Sequence, residues 1–406
     1  MQTDFDILII GGGMVGASLA CALRETPFRI GVIEAVPLAA PSQPSYDDRT
    51  IALAYGSRRI FESIGLWGDV APEASPIERI HISDRGRFGF TRLSAADAGL
   101  PALGYVVANR ALGAALLKQM EAAKNIEWLC PAEMQDIQFA PEAATVTVRH
   151  RDTHKIFTAR LVVAADGAHS AVRQHAGIEV ARTEYCQSAI VTNVTASLPH
   201  GNTAYERFTD TGPLAILPLP DSRCAVVWSA KEQEAEKILA LSDIEFLNRL
   251  QERFGGRLGT FSRLGKRAAY PLALTKVKEH VRPRLALIGN AAHTVHPVAG
   301  QGFNLGLRDV AALSEVLTDG ARANRDIGDV SVLRLYFDWR KRDNQVTSLF
   351  TNSLIRIFSN NFLPLAFARN AGLIAADLLP PVKRGFIRMT SGLGGRLPRL
   401  ARGLPL

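Results

Sequence analysis

The feature that most constrains how this chain folds is a glycine loop set between an apolar strand and a helix. Phe5-Asp6-Ile7-Leu8-Ile9-Ile10 is a short apolar run of the kind buried on both faces in a parallel sheet. It leads directly into Gly11-Gly12-Gly13-Met14-Val15-Gly16, and Ala17 to Arg24 is helix-forming. In this GxGxxG pattern Gly11 allows the tight turn, Gly13 lets the backbone approach a pyrophosphate, and Gly16 permits close helix packing, while the helix N-terminus offers free N–H groups to phosphate. A second strand, Arg29 to Ile33, ends in Glu34. An acid about twenty residues beyond the glycines is placed to hold an adenosine ribose and to repel the extra phosphate of NADP. The expectation is a Rossmann-type βαβ unit for a dinucleotide. FAD and NAD share the pyrophosphate and the ribose, so the loop alone does not choose between them.

Two further apolar runs end in polar turns: Leu161 to Ala165 before Asp166-Gly167-Ala168-His169-Ser170-Ala171-Val172-Arg173, and Leu285 to Ile288 before Gly289-Asn290-Ala291-Ala292-His293. In a doubly wound sheet such strand ends line the ligand crevice. Then comes Pro297-Val298-Ala299-Gly300-Gln301-Gly302-Phe303-Asn304-Leu305-Gly306, a glycine loop opening a helix that runs through Leu317. Its N–H groups and dipole suit negative charge on a reduced isoalloxazine. His293 and His296 are three residues apart, but no third ligand is near in sequence, so no metal is expected.

Length and composition set limits. At 406 residues the chain holds roughly two or three structural units, and 47% hydrophobic with 21% charged residues is a globular balance. Cys21, Cys130, Cys186 and Cys224 stand far apart without a CxxC pair, which indicates reduced, packed thiols rather than zinc or disulfides. Met1 to Asp6 carries no basic residue and the apolar run behind it is short, so a cytoplasmic location is expected, with peripheral attachment at the inner membrane left open. No apolar run reaches the roughly eighteen residues of a spanning helix.

The net charge of +8 is concentrated at the C-terminus. From Gln345 to Leu406 eight basic residues (Arg356, Arg369, Lys383, Arg384, Arg388, Arg396, Arg399, Arg402) face one acid, Asp377, a local +7. They are interleaved with Leu354, Ile355, Ile357, Phe358, Phe362, Leu363, Leu365 and Phe367. That mixture suits an anionic lipid surface or an apolar partner protein better than nucleic acid, which is not expected as a partner. A helix packed on the core with a solvated basic tail accounts for the same pattern equally well.

Between Gly177 and Tyr270 the pattern changes to alternating stretches, Ala189 to Val194, Thr203 to Thr209, Leu214 to Leu219 and Cys224 to Ser229, with turns between them, which reads as an antiparallel sheet joined by Ile77 to Leu93. Lys231 to Phe254 reads as helical with an exposed charged face. The resulting division is a discontinuous dinucleotide domain (1–76, 94–180, 271–330), an inserted sheet domain for the substrate (77–93, 181–270) and a helical, basic C-terminal segment (331–406).

Taken together, Gly11 to Gly16, Ala165 to Arg173 and Gly289 to Asn304 resemble the three motifs of the class A flavoprotein aromatic hydroxylases, which have the para-hydroxybenzoate hydroxylase fold, and the resemblance covers most of the chain. Asp48-Arg49-Thr50-Ile51-Ala52-Leu53, His81-Ile82-Ser83-Asp84-Arg85-Gly86 and Gly289-Asn290-Ala291-Ala292 are most similar to the ubiquinone-biosynthesis hydroxylases, in particular those acting on 2-polyprenyl-6-methoxyphenol. The wider family has aspartate where this chain has Asn290; the asparagine resembles that subgroup. The resemblance implies an α/β fold with an inserted antiparallel-sheet substrate domain and a helical C-terminus, FAD as cofactor, and NAD(P)H or another external donor as transient reductant. It also implies O2 as co-substrate, a flavin C4a-hydroperoxide, and ring hydroxylation of a polyprenylated phenol. By the same resemblance Gly11, Gly13, Gly16, Glu34, Arg49, Arg110, Asp166, Gly289, Asn290, Gly300, Gly302 and Asn304 hold FAD, with Arg110 at the pyrophosphate. Arg49, Pro297, Gly300 and Gln301 form the catalytic face, and no nucleophile is required. The alternatives are a hydroxylase for another ring position, a flavin-dependent reductase on the same fold, and a non-catalytic scaffold of quinone assembly.

Overall fold

The computed structural model of the chain describes residues 3–37, 49–151, 153–294, 300–358 and 362–406. Strand Phe5–Ile10 lies in the middle of a sheet of five parallel strands ordered Leu285–Leu287, Thr153–Ala164, Phe5–Ile10, Ile30–Ile33 and Ile126–Leu129, with Val281–Arg282 antiparallel at one edge. Alternation along the strand explains its unbroken apolar run. Ile7 and Ile9 pack against Leu19, Leu23, Leu112, Leu116, Leu313 and Leu317 of the helices Met14–Leu23, Asn109–Ala122 and Gln301–Arg322. Leu8 and Ile10 turn to the other side, against Met134, Val146 and Val148. Those residues belong to an antiparallel hairpin, Ala132–Phe139 and Ala144–His150, that continues into Thr153–Ala164. The strand Thr153–Ala164 serves both layers: it pairs antiparallel with the hairpin up to Ala159 and parallel with Phe5–Ile10 from Ala159 onward.

A nine-stranded sheet is built around Val180–Ala196, Arg223–Lys231, Gly212–Pro218 and Thr203–Thr209. Thr203–Thr209 pairs in parallel with Arg79–Asp84, which pairs in turn with Phe90–Ser94. Ala268–Val277 and His293–Thr294 lie at the opposite end. One face of this sheet is covered by the helices Glu232–Leu239 and Asp243–Phe254, through Ile190, Val194, Trp228, Phe246 and Leu250. The second helix starts with a capping box between Ser242 and Glu245. The other face looks toward a small sheet of Thr50–Ala54, Gly104–Ala108 and Ser75–Ile77, where Ala204, Leu219 and Ala225 meet Val106, Ile77 and Ala52.

The C-terminal segment is packed rather than trailing. Helix Leu363–Leu378 covers the edge strand Phe90–Ser94: Gly89 N–H donates to Asn370 Oδ1 at 2.7 Å and Arg92 N–H to Asp377 Oδ1 at 2.8 Å. Leu400 and Ala401 return to the core under the parallel sheet. Among the described residues of this segment, Arg369 meets Asp84 (2.8 Å), Lys383 meets Asp97 (2.8 Å) and Arg399 meets Asp319 (2.6 Å), acids from elsewhere in the chain. The surplus read along the sequence is thus smaller on the folded surface. Among the described residues no helix is long and apolar enough to cross a membrane.

Candidate active site

The turns after Ile10, Ile33, Ala164 and Leu287 all lie at the carboxyl ends of parallel strands, so the parallel pairing gathers them at one edge. Helix Met14–Leu23 begins after Gly13 with no acid in its first turn, leaving its N–H groups for an anion. Gly16 is required by proximity: a β-carbon there would lie 2.0 Å from the Gly11 carbonyl oxygen. Glu34 is buried at the end of its strand, accepting from Gly12 N–H and Val36 N–H at 2.8 Å each. Burial raises its carboxyl above the ordinary range, against the lowering effect of these N–H donors. The carboxylate therefore stiffens the glycine loop that it also flanks.

Asp166 accepts from Val172 N–H at 3.1 Å through Oδ2, while among the described residues the buried Oδ1 has no hydrogen-bond partner. Burial raises this carboxyl too. An orphaned oxygen at a strand end fits a hydroxyl-bearing ligand, because leaving it unmet costs roughly 1–3 kcal/mol. Arg173 ties this turn to the next, donating to Ala168 O at 2.7 Å and to Ala291 O at 2.9 Å. Gly289 lies against Val15, and Asn290 is exposed on the short turn Gly289–Ala291. The anion-ready helix end, the carboxylate at the ribose position and the orphaned oxygen together fit FAD.

The second glycine loop is keyed to the small sheet. Gly300 is left-handed (φ +61°), a conformation that favours glycine, and caps helix Gln301–Arg322; a β-carbon there would lie 3.0 Å from that of Ala52. Asn304 is fully engaged by main chain: Oδ1 accepts from Ala54 N–H (2.8 Å), and Nδ2 donates to Ala52 O (2.8 Å) and Gly300 O (2.6 Å). Its observed role is to hold the loop on strand Thr50–Ala54. Gln301 is buried beside Thr390, and a side chain added at Gly302 would meet no described atom within 4 Å. Arg49 accepts Asn109 N–H on its carbonyl (2.7 Å) and lays its guanidinium 4.7 Å over the Tyr270 ring, bridging the small and large sheets. Arg110, placed by the resemblance at the pyrophosphate, is paired here with Glu73 at 2.8 Å. Pro297 and His296 lie outside the described residues.

Two groups have no precedent in the motifs. Asp309, fully buried in helix Gln301–Arg322, accepts from Gly289 N–H (3.1 Å), sits 2.7 Å from His293 Nε2 and accepts from Arg340 Nε at 2.7 Å. Burial opposes its ionisation, but His293 and Arg340 hold the carboxyl well below the usual range. Arg340 also contacts Asp343 and Asn344, so the turn after Gly289 is pinned from beneath by two helices. An aspartate on an otherwise apolar helix face was the available signal in the sequence. The second group is Glu206. Directly paired residues of a sheet share a face, so Ile82, Glu206, Ala215, Val227, Val191 and Ala268 form one row on the side of the nine-stranded sheet away from helices Glu232–Leu239 and Asp243–Phe254. Glu206, Ala215, Val227 and Val191 are each only half-buried although they lie in interior strands, an apolar strip with one carboxyl.

Residues 4–340 match the family model described as an FAD binding domain. The chain is 40% identical over 404 residues to ubiquinone hydroxylase UbiL of Rhodospirillum rubrum, covering 99% of this chain and 93% of the relative. It is 34% identical over 392 residues to the 3-demethoxyubiquinol 3-hydroxylase of Escherichia coli, covering 96% and 98%. Among solved structures, the p-nitrophenol 4-monooxygenase PnpA of Pseudomonas putida superposes with a TM-score of 0.80 at 20% identity over 98% of this chain and 100% of that one, a likeness of fold.

Proposed function

The chain belongs to the FAD-binding-domain family and, within it, to the ubiquinone-biosynthesis hydroxylases, and from that premise we propose that it converts 2-polyprenyl-6-methoxyphenol to 2-polyprenyl-6-methoxy-1,4-benzoquinol. It is an FAD-dependent monooxygenase, with O2 and a reduced nicotinamide as co-substrates. The observation that carries the substrate reading is the partly open apolar strip Ala215, Val227 and Val191, on the sheet face whose Ala204 and Ala225 meet Ala52, the residue that Asn304 holds. An apolar surface with a single carboxyl accepts a prenylated ring and excludes water from it.

Bound FAD supplies the redox chemistry, taking reducing equivalents from the external donor and activating dioxygen. The chain supplies the rest. The first glycine loop and the N-terminus of helix Met14–Leu23 hold the pyrophosphate, Glu34 the ribose, and Asp166 Oδ1 a further hydroxyl. Gly300, Gln301 and Gly302 offer main-chain N–H groups where negative charge develops, on a loop that Asn304 fixes. Arg49 closes the flank through Tyr270, and the family resemblance assigns Pro297 to the same catalytic set. Arg110 reaches the pyrophosphate once it leaves Glu73. Residues 1–76, 94–180 and 271–330 act as the FAD domain, and 77–93 with 181–270 as the substrate domain.

The substrate's tail resides in the bilayer, and a surface on the chain suits that environment. Phe88 and Phe367 pack with their rings tilted by 60° and centroids 6.0 Å apart, and with Phe362, Leu378, Leu379 and Val382 they stay exposed, as do Arg384 and Arg388. Apolar residues among bases match the interface of an anionic leaflet, making the protein peripheral there. A companion subunit is the other partner such a surface takes.

The deciding experiment starts from the visible spectrum of the purified protein, followed by chemical reduction and an oxygen pulse with a short-tailed 2-prenyl-6-methoxyphenol. A product heavier by one oxygen, with the new hydroxyl para to the first, is expected. Hydroxylation elsewhere reassigns the ring position. Turnover without oxygen establishes the reductase, and protein that takes up no FAD establishes the scaffold.

A further inference from the structure

Glu206 lies on strand Thr203–Thr209, directly paired with Ile82 and Ala215. Its neighbours on the same face, two residues either way, are Ala204 and Phe208. Ala204 belongs to the cluster that includes Ala52, and Ala52 is the residue that Gly300 crowds and Asn304 hydrogen-bonds. Phe208 stacks on Phe358 with ring centroids 3.7 Å apart. Four apolar residues thus surround one carboxyl, within two strand positions of the contact that anchors the second flavin loop. Among the described residues no hydrogen bond or ion pair is made by this carboxyl. Of the charged groups on its own and the adjacent strand, Asp84 is committed to Arg369 and Asn370, while Arg79 and Arg207 lie on the opposite face, Arg79 at Gly201 O and Arg207 near Gly255. Burial is the sole cause that pushes the Glu206 carboxyl up to about 7. A group that is half-ionised near neutrality is matched to proton transfer, and an unpartnered carboxyl among apolar neighbours costs stability unless a ligand meets it.

We propose that Glu206 meets the substrate's phenol hydroxyl and acts as its acid–base partner during ring hydroxylation. The assignment rests on the hydroxylase reading above. The carboxylate accepts the phenol proton; the O–H electron pair stays on the phenol oxygen and is shared into the ring, raising the nucleophilicity of the carbon that takes the oxygen atom supplied by dioxygen. When that carbon releases its hydrogen as a proton to water, matching the proton used as the second oxygen atom of dioxygen leaves as water, the ring becomes aromatic again and Glu206 returns its proton to the phenol oxygen. One proton is borrowed and restored, and the external donor and dioxygen account for the electrons and the oxygen.

The test uses the FAD-loaded protein, Glu206→Gln and Glu206→Asp, with FAD content confirming that each variant is folded. The non-kinetic readout is the phenolate absorption of a 2-prenyl-6-methoxy-4-nitrophenol probe bound to the oxidised protein, followed as a function of pH. With the wild type the probe and the Glu206 carboxyl share one proton, so the bound probe's phenolate band is expected to grow in two steps, whereas with E206Q it grows in one. With the short-tailed phenol, E206Q should form product about 100-fold more slowly or worse and divert oxygen to hydrogen peroxide. The wild-type rate should climb through pH about 7, E206Q should lose that limb, and E206D should recover part of the rate. A folded E206Q with the wild-type spectrum, rate and pH profile overturns the assignment. If the wild type binds the probe but forms no product, the hydroxylase reading fails while the spectral contrast alone decides whether Glu206 meets the phenol. No binding to the wild type removes both.

Discussion

Asp309 Oδ2 lies 2.7 Å from His293 Nε2, and this buried contact fastens the turn after Gly289 to the helix that opens at Gln301. The same carboxylate accepts from the buried Arg340, so one side chain couples two flavin-side loops to helix Val330–Phe358.

Removing that carboxylate leaves a buried guanidinium short of an acceptor. Asp309→Asn should cost about 3–5 kcal/mol in denaturant unfolding at neutral pH. The folded carboxyl is held below its ordinary 3.8, so its contribution is present above that pH and is lost as pH falls further. The gap between wild type and variant should therefore shrink in strong acid. A variant unfolding at the wild-type midpoint would show that the cluster adds no stability.

Buried histidines set a second acid limit. Burial holds His280 and His81 down to about 4, against an ordinary 6.5. Between those values the unfolded chain binds the extra protons first, so stability is intact above about pH 6.5 and declines as pH falls toward 4. Unfolding midpoints should drop through that window, and His280→Gln should flatten the slope. Midpoints that do not change across it count against both groups.

Gly16→Ala places a methyl group 2.0 Å from a backbone oxygen, which can yield only by opening the turn at Gly11. The purified variant should carry less than about a tenth of the wild-type flavin, an affinity loss above about 1.4 kcal/mol, with far-ultraviolet circular dichroism unchanged. Full flavin content would mean that the cradle tolerates a wider loop.

Asn304→Ala strips acceptors and donors from Ala52, Ala54 and Gly300. Each main-chain group left buried and unmet costs about 1–3 kcal/mol. Asn304→Asp keeps the acceptor for Ala54 N–H but faces two carbonyl oxygens, so it should do no better. Both should lower the ratio of product formed to oxygen consumed more than they lower FAD content. An unchanged ratio would limit Asn304 to cofactor retention.

Membrane contact is tested on the surface rather than by truncation, because Leu400 and Ala401 are core residues and a deletion from Gln345 would remove them. Phe362→Ser with Phe367→Ser should weaken binding to anionic liposomes by about 100-fold or more while FAD content holds, since each buried aromatic contributes about 1.5–3 kcal/mol to interfacial binding. Unaltered sedimentation would point to a protein partner for this face.

The flavin cradle was legible because its signals are local. Strand, Gly11 to Gly16, helix and Glu34 fall within one βαβ unit, and the turns at Asp166 and Gly289 follow apolar runs whose ends any parallel sheet brings together. The antiparallel stretches were legible from alternation, although the strand Val180–Ala196 runs well beyond the segment Ala189 to Val194. The motif nominated Asn304 as a residue holding FAD, but its three main-chain partners, up to 252 positions away, were not legible.

What the sequence determined by itself is what spacing over a few residues can encode: the dinucleotide loop, the alternation of strands, and a C-terminus rich in both bases and exposed apolar residues. Tertiary structure alone decided that Asp309 answers His293 and Arg340, that Arg110 meets Glu73, that Arg369, Lys383 and Arg399 are neutralised by remote acids, and that Glu206 is alone on an apolar row. The physical reason is that a charge's partner and its degree of desolvation depend on which strands and helices are brought alongside it, and register across a nine-stranded sheet is set by the packing of the whole domain rather than by neighbours in the chain.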